Sequence, residues 1–161
     1  MQPEQKPVSA SALEREYIVL DGDLNPLGTL YGGRFVAIVD ALAARVAREH
    51  TGYECVTASM DSIHFLRPIF RDQTLIIKIA INRVWESSME IGIKVLLKEG
   101  CTPQHVASAY MTFVALNAEG KKVTVPQIIP ETHEEKRRNR EAQKRRQARL
   151  RQRLQHKKRS S

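Results

Sequence analysis

The sequence predicts an α+β fold in which an antiparallel sheet wraps around one long central helix, with a basic C-terminal tail behind it. Three observations lead there. Residues 35–47 (FVAIVDALAARVA) are apolar on nearly every helical face, as in a helix enclosed by protein. Four long strand-like runs follow that helix with no second convincing helix among them, and one short run precedes it. Beyond residue 130 the composition turns abruptly to Lys and Arg.

Residues 1–12 are polar with Pro and Ser, and read as a loose arm. Residues 14–20 (EREYIVL) form a first strand, and Asp21-Gly22-Asp23-Leu24-Asn25-Pro26 is turn chemistry. The helix is expected from about Gly32 to about His50, ended by Thr51-Gly52. Residues 55–66 (CVTASMDSIHFL) alternate, with a slip near Asp61-Ser62, until Arg67-Pro68 ends the run. Residues 74–85 are dense in Ile and Val, as a buried strand requires. After a Ser87-Ser88 turn, residues 89–97 alternate, Gly100 to Pro103 breaks the run, and residues 105–116 alternate again. The domain is thus expected over residues 13–130 and the tail over 131–161. A sheet of this kind covers a helix on one side only. The remaining apolar face and the sheet edges call for a second copy, so at least a dimer is expected.

One carboxylate interrupts the helix. Asp40 has Val36, Ala37, Ala43 and Ala44 at its i±3 and i±4 positions, so no cation of its own helix reaches it. A buried charge is costly unless it is compensated or used. A structural acid bonded to a loop or to a partner subunit is the plain alternative to a functional one. Gly32-Gly33 at the helix start admits close approach of a ligand or another chain and leaves first-turn N–H groups without partners, with the positive end of the helix dipole behind them. Such a site stabilises a developing oxyanion; close helix–sheet packing is the plainer explanation of the glycines. Asp40 lies seven residues beyond Gly33, roughly 10 Å along the axis, so an elongated substrate could meet both.

Charge divides sharply along the 161 residues. Residues 131–161 hold thirteen Lys/Arg against four Glu, a net +9, which leaves thirteen against fourteen, a net −1, for residues 1–130. Cys55 and Cys101 lie in strand-like surroundings without metal or redox spacing, and read as two reduced, buried thiols of a cytoplasmic protein. The five histidines are scattered, so no metal is expected. No apolar run approaches the length of a membrane span, and no leader-like segment opens the chain.

Several ordered blocks resemble one family. Asn25, Gly28, Gly32 and Gly33 form N-x-x-G-x-x-x-G-G ahead of Asp40. Residues 56–61 (VTASMD) and Phe65 follow, then Asn82-Arg83 and residues 87–92 (SSMEIG). Val125-Pro126, residues 130–132 (PET) and residues 134–136 (EEK) complete the pattern. Over residues 14–136 the chain resembles the hotdog-fold acyl-CoA thioesterases, in particular the cytosolic acyl-CoA hydrolase branch. That resemblance implies hydrolysis of fatty acyl-CoA to a free fatty acid and CoA, with no cofactor beyond the coenzyme A of the substrate itself. It implies that Asn25 of one subunit and Asp40 of its partner share an active site. Asp40 would act as general base or as nucleophile, Asn25 would orient water or thioester, and the N–H groups near Gly32 or Gly33 would polarise the carbonyl. Pro26 and Leu27 depart from the small residues usual after the Asn, which bears on the acyl or pantetheine channel. The resemblance also favours trimers of dimers, hence a hexamer.

The CoA phosphates need cations or donors, for which Arg67, Arg83, Ser87 and Ser88 are the candidates; ordinary exposed polar residues are the plain alternative. The tail favours helix by composition but is polar almost all round, as in a solvated helix. Its basicity raises further ideas: docking across the oligomer, attraction of anionic CoA, and contact with nucleic acid or an anionic membrane. The tail contains no Phe, Tyr or Trp for base stacking, so a nucleic-acid-binding role is disfavoured. A hotdog enoyl-CoA hydratase or dehydratase would need a catalytic His, and His64 is not placed beside the glycines by spacing.

Overall fold

The computed structural model describes residues 4–159. Strand β1 (Gln5–Pro7) is followed by β2 (Leu13–Ile18), helix α1 (Gly32–Thr51), β3 (Glu54–Phe65), β4 (Thr74–Val84), β5 (Ser88–Leu97), β6 (Gln104–Leu116), β7 (Gln127–Ile129) and helix α2 (His133–Arg159). Each element expected from the sequence is present with ends within two residues. The main sheet has the order β2-β4-β5-β6-β3, and all its pairs are antiparallel.

Alternation dictates the layers. Leu75, Ile77, Ile79 and Ile81 of β4 face inward with Met89, Ile91, Ile93 and Val95 of β5 and Met111 and Phe113 of β6. Helix α1 lays Phe35, Val39, Ala43, Val46 and Ala47 onto them, and all five are buried. Each large aliphatic side chain so buried contributes about 1.5–3 kcal/mol. Gly52 ends α1 in the left-handed conformation (φ 74°), its N–H bonded to the Arg48 carbonyl at 2.8 Å. Register shifts at Thr57/Ser59 and Asp61/His64 bend β3, at the slip its pattern indicated.

The opposite face of α1 is open in the protomer. Gly33, Ala37 and Ala41 are exposed, so the helix is apolar on nearly every side but covered on only one. Strand β3 is an unpaired edge with Val56, Met60 and Phe65 exposed, whereas β2, the other edge, carries Glu14, Arg15 and Glu16.

Three expectations are corrected. The segment read as a loose arm is tied down: β1 pairs in parallel with β7, Val8 is buried, and the Lys6 ammonium donates to the His50 carbonyl at 3.0 Å. Residues 1–3 lie outside the described ones. Cys55 is buried as expected, and burial pushes its thiol pKa up, but Cys101 sits exposed in the turn before β6. The tail is not merely a solvated helix. Its first half docks on the outer face of the sheet, where Ala142 is fully buried and Asn139 donates to the Asn82 carbonyl at 3.0 Å. The contact is made chiefly by ions: Glu90, fully buried, accepts from Arg145 at 2.7 Å, and Arg149 reaches Asp61 at 2.5 Å and Glu90 at 3.5 Å. Arg145 also stacks over Tyr110 at 3.8 Å.

Candidate active site

Asp40 projects from the middle of α1 and is half-buried in the protomer. Its Oδ1 accepts a hydrogen bond of 2.6 Å from the Thr57 hydroxyl on β3, which orients the carboxylate and leaves its second oxygen for other partners. Thr57 was not singled out from the sequence. A threonine in an alternating strand carries no signal of its own, and only the packing of α1 beside the β3 edge makes it Asp40's partner.

Asn25 is occupied differently. Its amide closes its own turn: Oδ1 accepts from the Leu27 and Thr29 N–H groups at 2.9 and 3.2 Å, and Nδ2 donates to Thr29 Oγ1 at 2.8 Å. Gly28, at φ 79°, completes that turn. The loop is anchored just before it by Asp23, a buried carboxylate bonded to Arg34 at 2.7 Å, to Tyr17 at 2.7 Å and to the Leu20 N–H at 2.9 Å. Burial pushes the Asp23 carboxyl up, but the Leu20 amide, Arg34 and Tyr17 together outweigh it and hold it below the usual carboxylate range. Among the described residues, no hydrogen bond joins Asn25 to Asp40 within the protomer.

The two glycines have separate roles. A Cβ on Gly33 would meet the Tyr31 ring at 2.7 Å, so that position accommodates the ring. Gly32 faces open space and lines a groove of ≈ 450 Å³ with Thr29, Phe65, Leu66, Arg67 and Pro68. No side chain caps the start of α1, which leaves its first-turn N–H groups without intrahelical partners. The groove therefore brings Gly32 and Arg67 together, with the exposed Phe65 ring packed edge-on against Phe35 at 4.8 Å. Arg67 also bonds the Gln104 side chain.

Arg83 does not join them. Its guanidinium donates to Asn139 Oδ1 at 2.7 Å and so docks α2. Ser87 and Ser88 line a different cleft, beneath α2, where Ser88 Oγ accepts from Arg146 at 3.2 Å. Among the described residues no group of three His, Cys, Asp or Glu is placed to hold a metal ion, and no helix is long and apolar enough to cross a membrane.

A single apolar helix packed into a five-stranded antiparallel sheet, with an acid on its uncovered face, is the hotdog architecture. Comparison with known proteins agrees. The thioesterase superfamily model matches residues 27–103. An uncharacterised acyl-CoA thioester hydrolase of Bacillus subtilis is 37% identical over 135 residues, covering 83% of this chain and 78% of its own length. The human cytosolic acyl coenzyme A thioester hydrolase is 32% identical over 142 residues, 86% of this chain but 37% of the human protein. An acyl-CoA hydrolase from Staphylococcus aureus, solved with butyryl coenzyme A and coenzyme A, superposes with a TM-score of 0.90 at 33% identity, over 96% of this chain and 95% of that one. A hexameric acyl-CoA thioesterase gives a TM-score of 0.87 at 31% identity, over 92% of this chain and 97% of that one. The chain belongs to the thioesterase superfamily, among the hotdog acyl-CoA hydrolases.

Alanine variants of the S. aureus enzyme at an asparagine, an aspartate and a threonine have also been solved. In chain order these three are 15 and then 17 positions apart, the same intervals that separate Asn25, Asp40 and Thr57.

Proposed function

We propose that the protein hydrolyses fatty acyl-CoA to a free fatty acid and CoA, with Asp40 as the reacting carboxylate. The observation that carries this reading is Asp40 itself, a helix acid held by Thr57 on a face the protomer leaves uncovered. By the general-base route Asp40 takes a proton from water as the water oxygen attacks the thioester carbonyl, and the oxyanion collapses to expel the CoA thiolate. By the nucleophilic route the carboxylate attacks instead, releasing the thiolate and forming a mixed anhydride that water then cleaves. Either route develops negative charge on the carbonyl oxygen, for which the first-turn N–H groups of α1 at Gly32 and Gly33 serve as donors. A thiolate leaves readily, so no strong general acid is required. The groove at Gly32 and Arg67 receives the thioester end of the substrate.

The site is completed by a second copy. The open face of α1 and the unpaired β3 edge both expose apolar residues, among them Ala37, Ala41, Val56 and Met60, and an isologous dimer through them covers both. Asn25 of one subunit then meets Asp40 of the other, and dimers assemble in threes, in keeping with a hexameric relative. The cytoplasm is the proposed compartment, in keeping with relatives named as cytosolic enzymes.

Thiol release from an acyl-CoA panel of two to twenty carbons tests the activity and resolves chain length. Asp40→Asn is expected to lower kcat by at least about 10² with an unchanged melting temperature. Near wild-type turnover by this variant would make Asp40 a structural residue.

A further inference from the structure

Helix α2 sorts its charges by side. On the inward side Arg145 and Arg149 are met by Glu90 and Asp61, and in the first turns Arg137 and Arg138 are met by Glu134 and Glu141. The outward side has no such partners. Positions 140, 144, 147, 151, 154 and 158 follow one another at intervals of three or four residues, which sets them in one row along the helix. All six are exposed, and they carry Arg140, Lys144, Gln147, Arg151, Leu154 and Lys158. Among the described residues none of these four cations has a carboxylate within ion-pair distance, and residues 142–161 contain no Asp or Glu. The row runs about 27 Å. Like charges in a row repel one another, and an extended anionic surface relieves the repulsion.

Two leucines are an independent observation. Leu154 sits within the row and is 61% exposed, and Leu150, one turn before it, is 45% exposed. Every residue from Leu150 to Arg159 is exposed, so neither leucine docks the helix on the sheet; Ala142 is the residue of α2 that is buried there. Exposed apolar side chains gain free energy only against another apolar phase. A second copy of the chain is a poor complement to the row, because its exposed acids Glu14, Glu16, Asp21 and Asp72 already hold Lys78, Lys98 and Arg71. A nucleic acid would satisfy the cations but leave the leucines in water, and the tail has no Phe, Tyr or Trp to stack on bases. Anionic headgroups above hydrocarbon satisfy both.

We propose that the outward face of α2 docks the protein on a bilayer that carries anionic lipid headgroups, with the helix lying along the surface and Leu150 and Leu154 reaching between the headgroups. The inward ion pairs fix the helix to the sheet, so the row meets the surface already formed and loses little conformational entropy on contact. The contact is with one leaflet, since no helix among the described residues is long and apolar enough to cross. It depends on this face of α2 alone, and stands apart from the thioesterase reading.

The test is vesicle flotation of the full chain, read without turnover. Phosphatidylcholine vesicles with about 30% phosphatidylglycerol should bind it, and pure phosphatidylcholine vesicles should not. Salt at about 0.5 M should release it. Each cation held against an anionic surface strengthens binding about fivefold, so Arg140→Gln, Lys144→Gln, Arg151→Gln and Lys158→Gln combined should weaken it at least about 100-fold. The melting temperature should stay unchanged, since these side chains hold no ion pair of the fold. Arg140→Lys with Arg151→Lys keeps the charge and should bind within about twofold of wild type. Leu150→Ser with Leu154→Ser should weaken vesicle binding about tenfold and leave affinity for a duplex DNA or RNA oligonucleotide unchanged. No binding to the anionic vesicles, or binding that the Gln variant retains, overturns the proposal. Leucine variants that bind vesicles as wild type does would remove the reason for a bilayer over a soluble polyanion and overturn it too. Tighter binding of the duplex than of the vesicles would assign the row to nucleic acid. A Gln variant that sediments as a smaller assembly than wild type would assign it to contact between copies, and either result overturns the bilayer.

Discussion

Replacing Arg145 by alanine should unseat α2 and expose how strongly the tail is integrated into the fold. Glu90 is fully buried under Arg145, accepting from its Nη2 at 2.7 Å and its Nε at 3.1 and 3.2 Å. Removing one partner of a buried pair typically costs about 3–5 kcal/mol, because the stranded charge stays desolvated. Two partners survive: the Asn82 amide at 3.0 Å and Arg149 at 3.5 Å. The Arg145 side chain is also 23% exposed, so water enters where it leaves. These place the expected loss near the lower end, about 3 kcal/mol. For a chain of 161 residues that is a fall in Tm of about 6–12 °C. Thermal unfolding at fixed protein concentration reads it, since oligomerisation makes Tm concentration-dependent. Arg145→Met combined with Glu90→Gln removes both charges and should recover more than half of the loss. A fall under about 2 °C for Arg145→Ala would refute the reasoning and return α2 to the status of a solvated appendage.

Three further outcomes are expected. Thr57→Val keeps the shape of the side chain but removes the bond that orients Asp40, and should lower kcat about tenfold while thiol-release assays show little change in KM. Mixing Asn25→Ala subunits with Asp40→Asn subunits under conditions of chain exchange should restore about a quarter of wild-type activity, since about half the dimers are mixed and each has one intact site; verified mixed dimers no more active than either variant would show that the two residues do not meet across the interface. The depressed Asp23 carboxyl stabilises the fold above the unfolded-state pKa of about 4, and that contribution is lost as pH falls through the lower folded value. The stability difference between wild type and Asp23→Asn in urea titrations should therefore be large at pH 7 and shrink steadily below about pH 4.

What the sequence determines by itself here is local and periodic. Period-2 alternation places the inward side chains from Leu75 to Ile81 of β4 and from Met89 to Leu97 of β5, and the unbroken apolar stretch of α1, closed by Gly52, marks the one helix the sheet enfolds. Asp40 stands out in the same way, as a charge where the pattern wants none. Tertiary structure alone decides the rest, because the partners are remote in the chain and carry no periodic mark. Thr57 becomes Asp40's partner only when β3 lies beside α1, 17 residues on. The three-residue strands β1 and β7 are too short to signal themselves and pair across 122 residues. The greatest departure is α2. It buries almost no apolar surface, so hydrophobic patterning reads it as solvated, yet Arg145, Arg149 and Asn139 bind it to Glu90, Asp61 and Arg83. Ion pairs and side-chain amides depend on geometry at a few ångströms, which only the folded chain supplies.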